Sequence, residues 1–158
     1  MLIIRIGRLV EKDEEAQQIV DEMKQKLEDL RQKSLKLPRL KVYCEEWHNP
    51  STVAGNWVPE IIQIAGGDPI LINEGERSKE ILQEQVIAEN PDFVILSLTG
   101  IGALANVDEV KKREGWNVIT AVQQNNVIAI NDALLNRPSM RLVEGAQLLF
   151  DFFHQEDE

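Results

Sequence analysis

Apolar residues recur along this chain in three rhythms, and each rhythm predicts a different kind of element. Between about residues 10 and 32, Ala16, Ile19, Met23, Leu27 and Leu30 return every three or four positions among Glu, Lys and Gln. Such a stripe predicts one long amphipathic helix, which Leu37-Pro38 ends. The residues ahead of it, Leu2 to Val10, form an apolar lead-in broken by Arg5 and Arg8. Phe93-Val94-Ile95-Leu96-Ser97-Leu98 is instead an unbroken apolar run behind the turn Asn90-Pro91-Asp92, the pattern of a parallel strand buried on both faces. Residues 41–45, 69–72 and 127–130 predict shorter strands, with Val42 and Tyr43 suited to a pleated surface. Helical spacing returns at residues 59–65, closed by Gly66-Gly67, at 78–88 with Ser78 as its cap, and at 108–113. It closes the chain at 141–153, where Leu142, Ala146, Leu149 and Phe153 share the inner side.

Strands alternating with helices at this spacing predict an α/β fold: a single Rossmann-like lobe with a mainly parallel sheet flanked by helices. The chain divides into residues 1–36, the long helix with its apolar lead-in, and residues 37–158, the α/β lobe. In such sheets ligands gather at loops leaving the carboxyl ends of strands. Here those loops are residues 47–57, 99–105 and 131–139.

Charge narrows the function classes. Seventeen basic residues against 27 acidic ones give a net charge of −10 in a chain of 158 residues. Nucleic-acid binding needs a concentrated basic face, so that class is set aside. Part of the acidity lies in the tail, Gln155-Glu156-Asp157-Glu158, which reads as a solvated end. With Cys44 as the one cysteine and only His48 and His154 as histidines, neither a disulfide nor a metal-ligand spacing emerges. The lead-in is too short to span a bilayer and lacks a small-residue cleavage site, so the protein reads as not membrane-embedded. As written the chain reads as cytoplasmic; cut from a longer precursor it would be periplasmic or otherwise extracytoplasmic.

Catalytic constellations do not form. Ser51, Ser97 and Ser139 lack a nucleophile-elbow context, Cys44 reads as a packed thiol, and Glu45 and Glu46 point to opposite faces of an extended segment. Thr99-Gly100-Ile101-Gly102 is too loose for a phosphate loop. The expectation is a protein that is not an enzyme.

The segment Ala54-Gly55-Asn56-Trp57-Val58-Pro59-Glu60 is the richest in candidate chemistry. Trp57 stands at a loop-to-helix junction, where an indole either stacks on a flat ligand or packs into the core. Glu60 lies in the first helical turn, where a carboxylate either addresses a partner's arginine or is simply stabilised by the helix dipole.

In their order along the chain, several pieces resemble the C-terminal lobe and connecting helix of class III periplasmic solute-binding proteins, the cobalamin and iron-siderophore type. They are Ile6-Gly7-Arg8-Leu9 ahead of the long helix, Glu46-Trp47, the Ala54 to Glu60 motif, Ala65-Gly66-Gly67, Asn90-Pro91-Asp92-Phe93-Val94-Ile95-Leu96, Val127-Ile128-Ala129-Ile130, and Asn136-Arg137-Pro138-Ser139-Met140-Arg141-Leu142. The resemblance implies a ligand cleft walled by Trp47, His48, Asn56, Trp57, Thr99, Gly100, Asp132, Leu135, Asn136 and Arg137. His48 is read either as an axial ligand for a corrinoid metal or as an ordinary loop histidine. Arg137 either reads a ligand group or pairs with one of the many acids. No cofactor is implied; the implied ligand is a corrinoid or other metal chelate. The resemblance also implies docking of Glu60 into an arginine pocket of an ABC permease.

Members of that family clamp a ligand between two lobes, and the resemblance here runs to the helix and one lobe. The expected cleft therefore has one wall, completed by a separate N-terminal-lobe subunit or by a homodimer. The alternative expectation is an interaction module that self-associates through its helix and lead-in and has lost ligand binding.

Overall fold

The computed structural model describes residues 2–101 and 104–155. Expectations that involve Met1, Gly102 and the last three residues of the acidic tail lie outside the described residues.

The predicted long helix begins later than its stripe suggests, because the lead-in is a helix of its own. That helix, α1 (Leu2–Leu9), is followed by a reversal at Glu11, whose φ of 57° is left-handed. The next helix, α2 (Asp13–Ser34), opens with Asp13, Glu14 and Glu15 in its first turn, where the helix dipole favours negative charge. The reversal lays α1 back on α2 so closely that Gly7 meets the Ala16 side chain, a spacing only a glycine allows. Ala16, Val20 and Leu30 form the buried stripe of α2; Ala16 and Leu30 are predicted positions, Val20 is buried instead of Ile19, and Ile19, Met23 and Leu27 are half-buried.

The first strand, β1 (Leu40–His48), runs three residues beyond its predicted end. Its partner, β2 (Ser51–Val53), turns back antiparallel to it, pairing Trp47 with Thr52 and His48 with Ser51. Much of the expected loop 47–57 is thus a hairpin. The helix α3 (Val58–Ile64) follows, with Pro59 in its first turn, where a missing N–H costs nothing. Gly66, at φ 102°, ends it in the way its position predicts.

The next strand, β3 (Gly67–Pro69), lies two residues earlier than predicted and pairs parallel with the start of β1. Ser78 does not cap a helix. Its hydroxyl bonds Glu46 and accepts from the Gly55 N–H at 3.0 Å, holding the segment extended. Two polar residues there form β4 (Lys79–Glu80), which pairs with β2. The helix α4 (Gln83–Glu89) starts five residues later than expected, and the Gln85 side chain accepts from the Leu82 N–H at its start.

After it come β5 (Phe93–Leu96), buried throughout, and α5 (Val107–Lys111), capped by the Asn106 side chain. A 3-10 turn at Trp116–Val118, the short α6 (Thr120–Gln123), β6 (Val127–Ala129), a second 3-10 turn at Asp132–Leu134 and α7 (Leu142–Phe153) complete the described chain.

The sheet order is β4-β2-β1-β5-β6, with β3 on β1 as well. Strand β5 pairs with β1 over Val42 to Glu45, so β3 and β2 share the opposite edge of β1, end to end. Pairings among β3, β1, β5 and β6 are parallel; only β2 and β4 are antiparallel.

Side chains alternate between the faces. Val42, Cys44, Phe93 and Ile95 join α2, α3 and α7 in one core, while Tyr43, Val94, Leu96 and Val127 join α4, Trp116 and Ile119 in another. A parallel sheet covered on both faces explains why β5 reads as a continuous apolar run. No helix among the described residues is long and apolar enough to cross a membrane.

Candidate functional site

Parallel strands carry their following loops to one edge, and here β1, β5 and β6 deliver three segments to it: Trp47 and His48, Ser97 to Ile101, and Asn131 to Arg137. Asn136 ties two of them together. Its side-chain N–H groups donate to the Ser97 carbonyl at 2.6 Å and the Thr99 hydroxyl at 2.9 Å, and its carbonyl accepts from the Ser97 hydroxyl at 2.7 Å. Asp132, 8% exposed, accepts from the Gly100 N–H at 3.3 Å and pairs with Arg137 at 3.8 Å. Gly100 sits at φ 81°, a left-handed turn that leads its N–H toward Asp132. The Thr99 N–H donates to the Glu46 carbonyl, joining this network to the end of β1.

Trp57 reaches the same edge from the start of α3. Its indole N–H donates to the Leu135 carbonyl at 2.7 Å, and its ring is half-buried against the core. That hydrogen bond commits the one donor of the ring, so only its exposed face is open to another molecule. Leu135 itself is fully buried and contributes its carbonyl alone. Asn56 is exposed at φ 60°, a turn position, and its backbone binds Gly75 and Glu76.

Trp47 is 41% exposed, with its N–H on the Asn49 carbonyl at 3.0 Å, and its ring lies 5.7 Å from that of His48. His48 lines a cavity of about 430 Å³ that runs beside Leu98 and Ile101 toward Arg113. The structure therefore gathers Trp57, Thr99, Gly100, Asp132, Leu135, Asn136 and Arg137 into one bonded group, with Trp47 and His48 on the adjoining hairpin.

Glu60 stands apart, on α3. Its carboxylate is 45% exposed and lies 3.7 Å from Arg31 of α2, so the first-turn glutamate already has a cationic neighbour.

Below the edge lies a buried polar group that the strand pattern does not announce. Glu45 is fully buried and accepts from Arg113 at 2.8 Å, while the Arg113 guanidinium lies 4.7 Å over the Trp116 ring. Burial raises the Glu45 carboxyl above its ordinary value, with Arg113 pulling it the other way. Tyr43 Oη, Glu45 Oε1 and Trp116 Nε1 are buried without a partner among the described residues. Burial also pushes the Cys44 thiol up, the condition of an inert packed cysteine. Ser97, Ser78 and Glu46 hold the edge together, and the sequence signal for Ser97 was its place between β5 and Thr99-Gly100. No cluster of His, Cys, Asp and Glu among the described residues is arranged to hold a metal ion.

The family described as periplasmic binding protein matches residues 2–134. An uncharacterized ABC transporter substrate-binding lipoprotein of Bacillus subtilis is 25% identical over 157 residues, 96% of this chain and 48% of its own length. A vitamin B12-binding protein of Vibrio campbellii is 27% identical over 153 residues, 96% of this chain and 54% of its own. A periplasmic binding protein from Veillonella parvula has a similar solved structure, with a TM-score of 0.82 and 20% identity over 98% of this chain and 55% of that one. The chain thus spans about half the length of the curated relatives it matches.

Proposed function

The chain belongs to the periplasmic binding protein family, and from that premise we propose that it binds a corrinoid or another flat metal chelate, without catalysis, at the carboxyl edge of its sheet. The observation that carries this reading is the bonded group around Asn136, which fixes the loops after β5 and β6 beside Trp57. A rigid polar floor flanked by aromatic faces suits a ligand that stacks and accepts hydrogen bonds. Arg137, 69% exposed, is the cation best placed to reach such a ligand. The name of the Vibrio campbellii relative supports a corrinoid in particular.

The edge is one wall of a cleft, and a second lobe or a second copy of this chain supplies the other. Glu60 contributes a docking carboxylate for an ABC permease, in exchange for its contact with Arg31. The working location is extracytoplasmic, in keeping with a family described as periplasmic and a relative described as a lipoprotein.

Titration with cyanocobalamin and with haemin, read by tryptophan fluorescence, tests the reading. Trp116 is fully buried, so direct contact quenching is confined to Trp47 and Trp57, while energy transfer to the bound macrocycle dims all three. The expected result is saturable quenching, weakened at least tenfold in Trp57→Ala and in Arg137→Ala, about the loss of one good contact. No quenching at any soluble concentration would sink the proposal.

A second reading is self-association through α1. It is favoured by the exposure of Leu2, Ile6, Leu9 and Val10, which leaves an apolar strip in water.

A further inference from the structure

The cavity beside the candidate cleft has a composition that selects one kind of chemical group. Leu98, Ile101, Ala105 and Val110 give it apolar walls, His48 stands at the cleft side, and Arg113 and Glu109 supply its charged groups. The guanidinium of Arg113 is the deciding feature. Its charge is already met by Glu45, fully buried at 2.8 Å, and by the face of Trp116 at 4.7 Å. Yet among the described residues only one of its side-chain nitrogens, Nη1, has a hydrogen-bond partner. An arginine offers five N–H donors in a fixed fork. The cavity is therefore lined by an arginine with unused donors and a charge that is already neutralised.

We propose that this cavity is a subsite for a neutral, hydrogen-bond-accepting arm of the bound solute, an amide or carbonyl on an apolar stem, with Arg113 as the residue that reads it. The proposal rests on the solute-binding reading above and specifies one part of the ligand. A carboxylate is disfavoured because it would enter beside Glu109 and above a guanidinium whose charge Glu45 already balances. An ammonium group finds a counter-charge in Glu109, but it cannot accept from Arg113 and is repelled by the guanidinium. A neutral acceptor meets the free donors without adding charge to a partly dry site, and the apolar walls take its stem. Connection to the cleft follows from the chain itself, since Leu98 and Ile101 flank Thr99 and Gly100, and His48 follows Trp47.

Three six-carbon probes test this: hexanamide, hexanoate and hexylammonium, titrated into the labelled protein and followed by NMR. Hexanamide is expected to shift the methyl signals of Leu98, Ile101 and Val110 and the side-chain N–H of Arg113, binding at least about fivefold tighter than hexanoate, whose charge is brought beside Glu109 and Glu45. Equal or tighter binding of hexanoate overturns the proposal, as does the absence of shifts with all three probes. Ile101→Trp, which occludes the cavity while keeping both members of the Glu45–Arg113 pair, is expected to abolish the hexanamide shifts while leaving circular dichroism unchanged. Persistent shifts in that folded variant overturn the proposal. Cyanocobalamin and haemin titrations on the same sample separate the two levels. Quenching without hexanamide shifts overturns the subsite alone, whereas hexanamide shifts without quenching by either macrocycle overturn the wider reading and leave the subsite standing.

Discussion

Glu45 sits on β1 between Cys44 and Glu46, and its environment makes it the most consequential single carboxylate in the molecule. It is removed from water, and Arg113 is its salt-bridge partner, with His48 a more distant positive influence. Burial raises its folded-state value above 4.5, so the folded protein holds this proton more tightly than the unfolded chain does. Its contribution is therefore most favourable below pH 4.5 and diminishes as pH rises through the folded value. Glu45→Gln, which cannot titrate there, is expected to flatten the dependence of Tm on pH in that window; parallel curves for the two proteins would refute the assignment. Arg113→Met leaves the carboxylate buried without compensation and is expected to cost about 3–5 kcal/mol in urea unfolding at pH 7. The double change is expected to cost less than that, because no unpaired charge remains. Asn136 presents the complementary case of a neutral group with three side-chain bonds. Asn136→Ala is expected to lower stability by about 1–3 kcal/mol, since it strands the Ser97 carbonyl. At this scale the sequence was legible in part. Asn136, Thr99, Gly100 and Asp132 sit where strand ends put them, but residue type could not reveal that the Trp57 N–H is committed to Leu135 or that Glu45 faces inward.

The elements that read clearly are those whose apolar pattern is dense, and those that did not are polar pieces placed by their partners. β5, α3 and α7 lie within two residues of expectation because each buries a continuous run or stripe. Strand β4 has two exposed residues, Lys79 and Glu80, and no alternation to detect. It exists because β2 offers an edge and because Ser78 is held by Glu46 and Gly55. The reversal between α1 and α2 was hidden for a related reason. It turns on Glu11, a residue without the backbone freedom of glycine, where the eye looks for Gly or Pro. Gly66 is the opposite case, a stop signal whose role is visible in both sequence and structure. A methyl at that position would run into the His154 ring, and its φ of 102° is one that side chains rarely adopt. Gly66→Ala is expected to destabilise by about 1–3 kcal/mol and to loosen the end of α7. Hydrogen exchange at Phe153 and His154 reports the loosening, and unchanged protection there would count against it.

On the scale of the whole molecule the open question is what covers α1. Its inward side is settled, with Gly7 on Ala16 and Ile3 and Ile4 half-buried. Leu2, Ile6 and Leu9 recur on the outward side at helical spacing, 63%, 50% and 84% exposed. Stable partners bury roughly 800 Å² on each side, and one helix of eight residues cannot supply that area alone. A dimer formed through α1 must therefore also bring in the flank of α2, where Asp13, Glu14, Glu15, Asp21 and Glu22 would face the same acids of the second copy. With a net charge of −10 the two copies repel at long range as well. Self-association is accordingly expected to be weak and promoted by salt, with the dimer fraction in sedimentation equilibrium rising from about 0.05 M to about 0.5 M NaCl as screening shortens the repulsion. Leu9→Asp, on the most exposed residue of the strip, is expected to leave a monomer at every salt concentration. A wild-type chain that stays monomeric at high salt would remove the second copy as the cover of α1. A dimer unaffected by Leu9→Asp would place the contact elsewhere. If the strip does pair two copies, cobalamin titrations of wild type and Leu9→Asp at high salt decide whether the dimer also completes the cleft. Equal affinities would mean that one wall binds alone, and a loss of affinity with the loss of the dimer would mean that the second wall comes from the second copy.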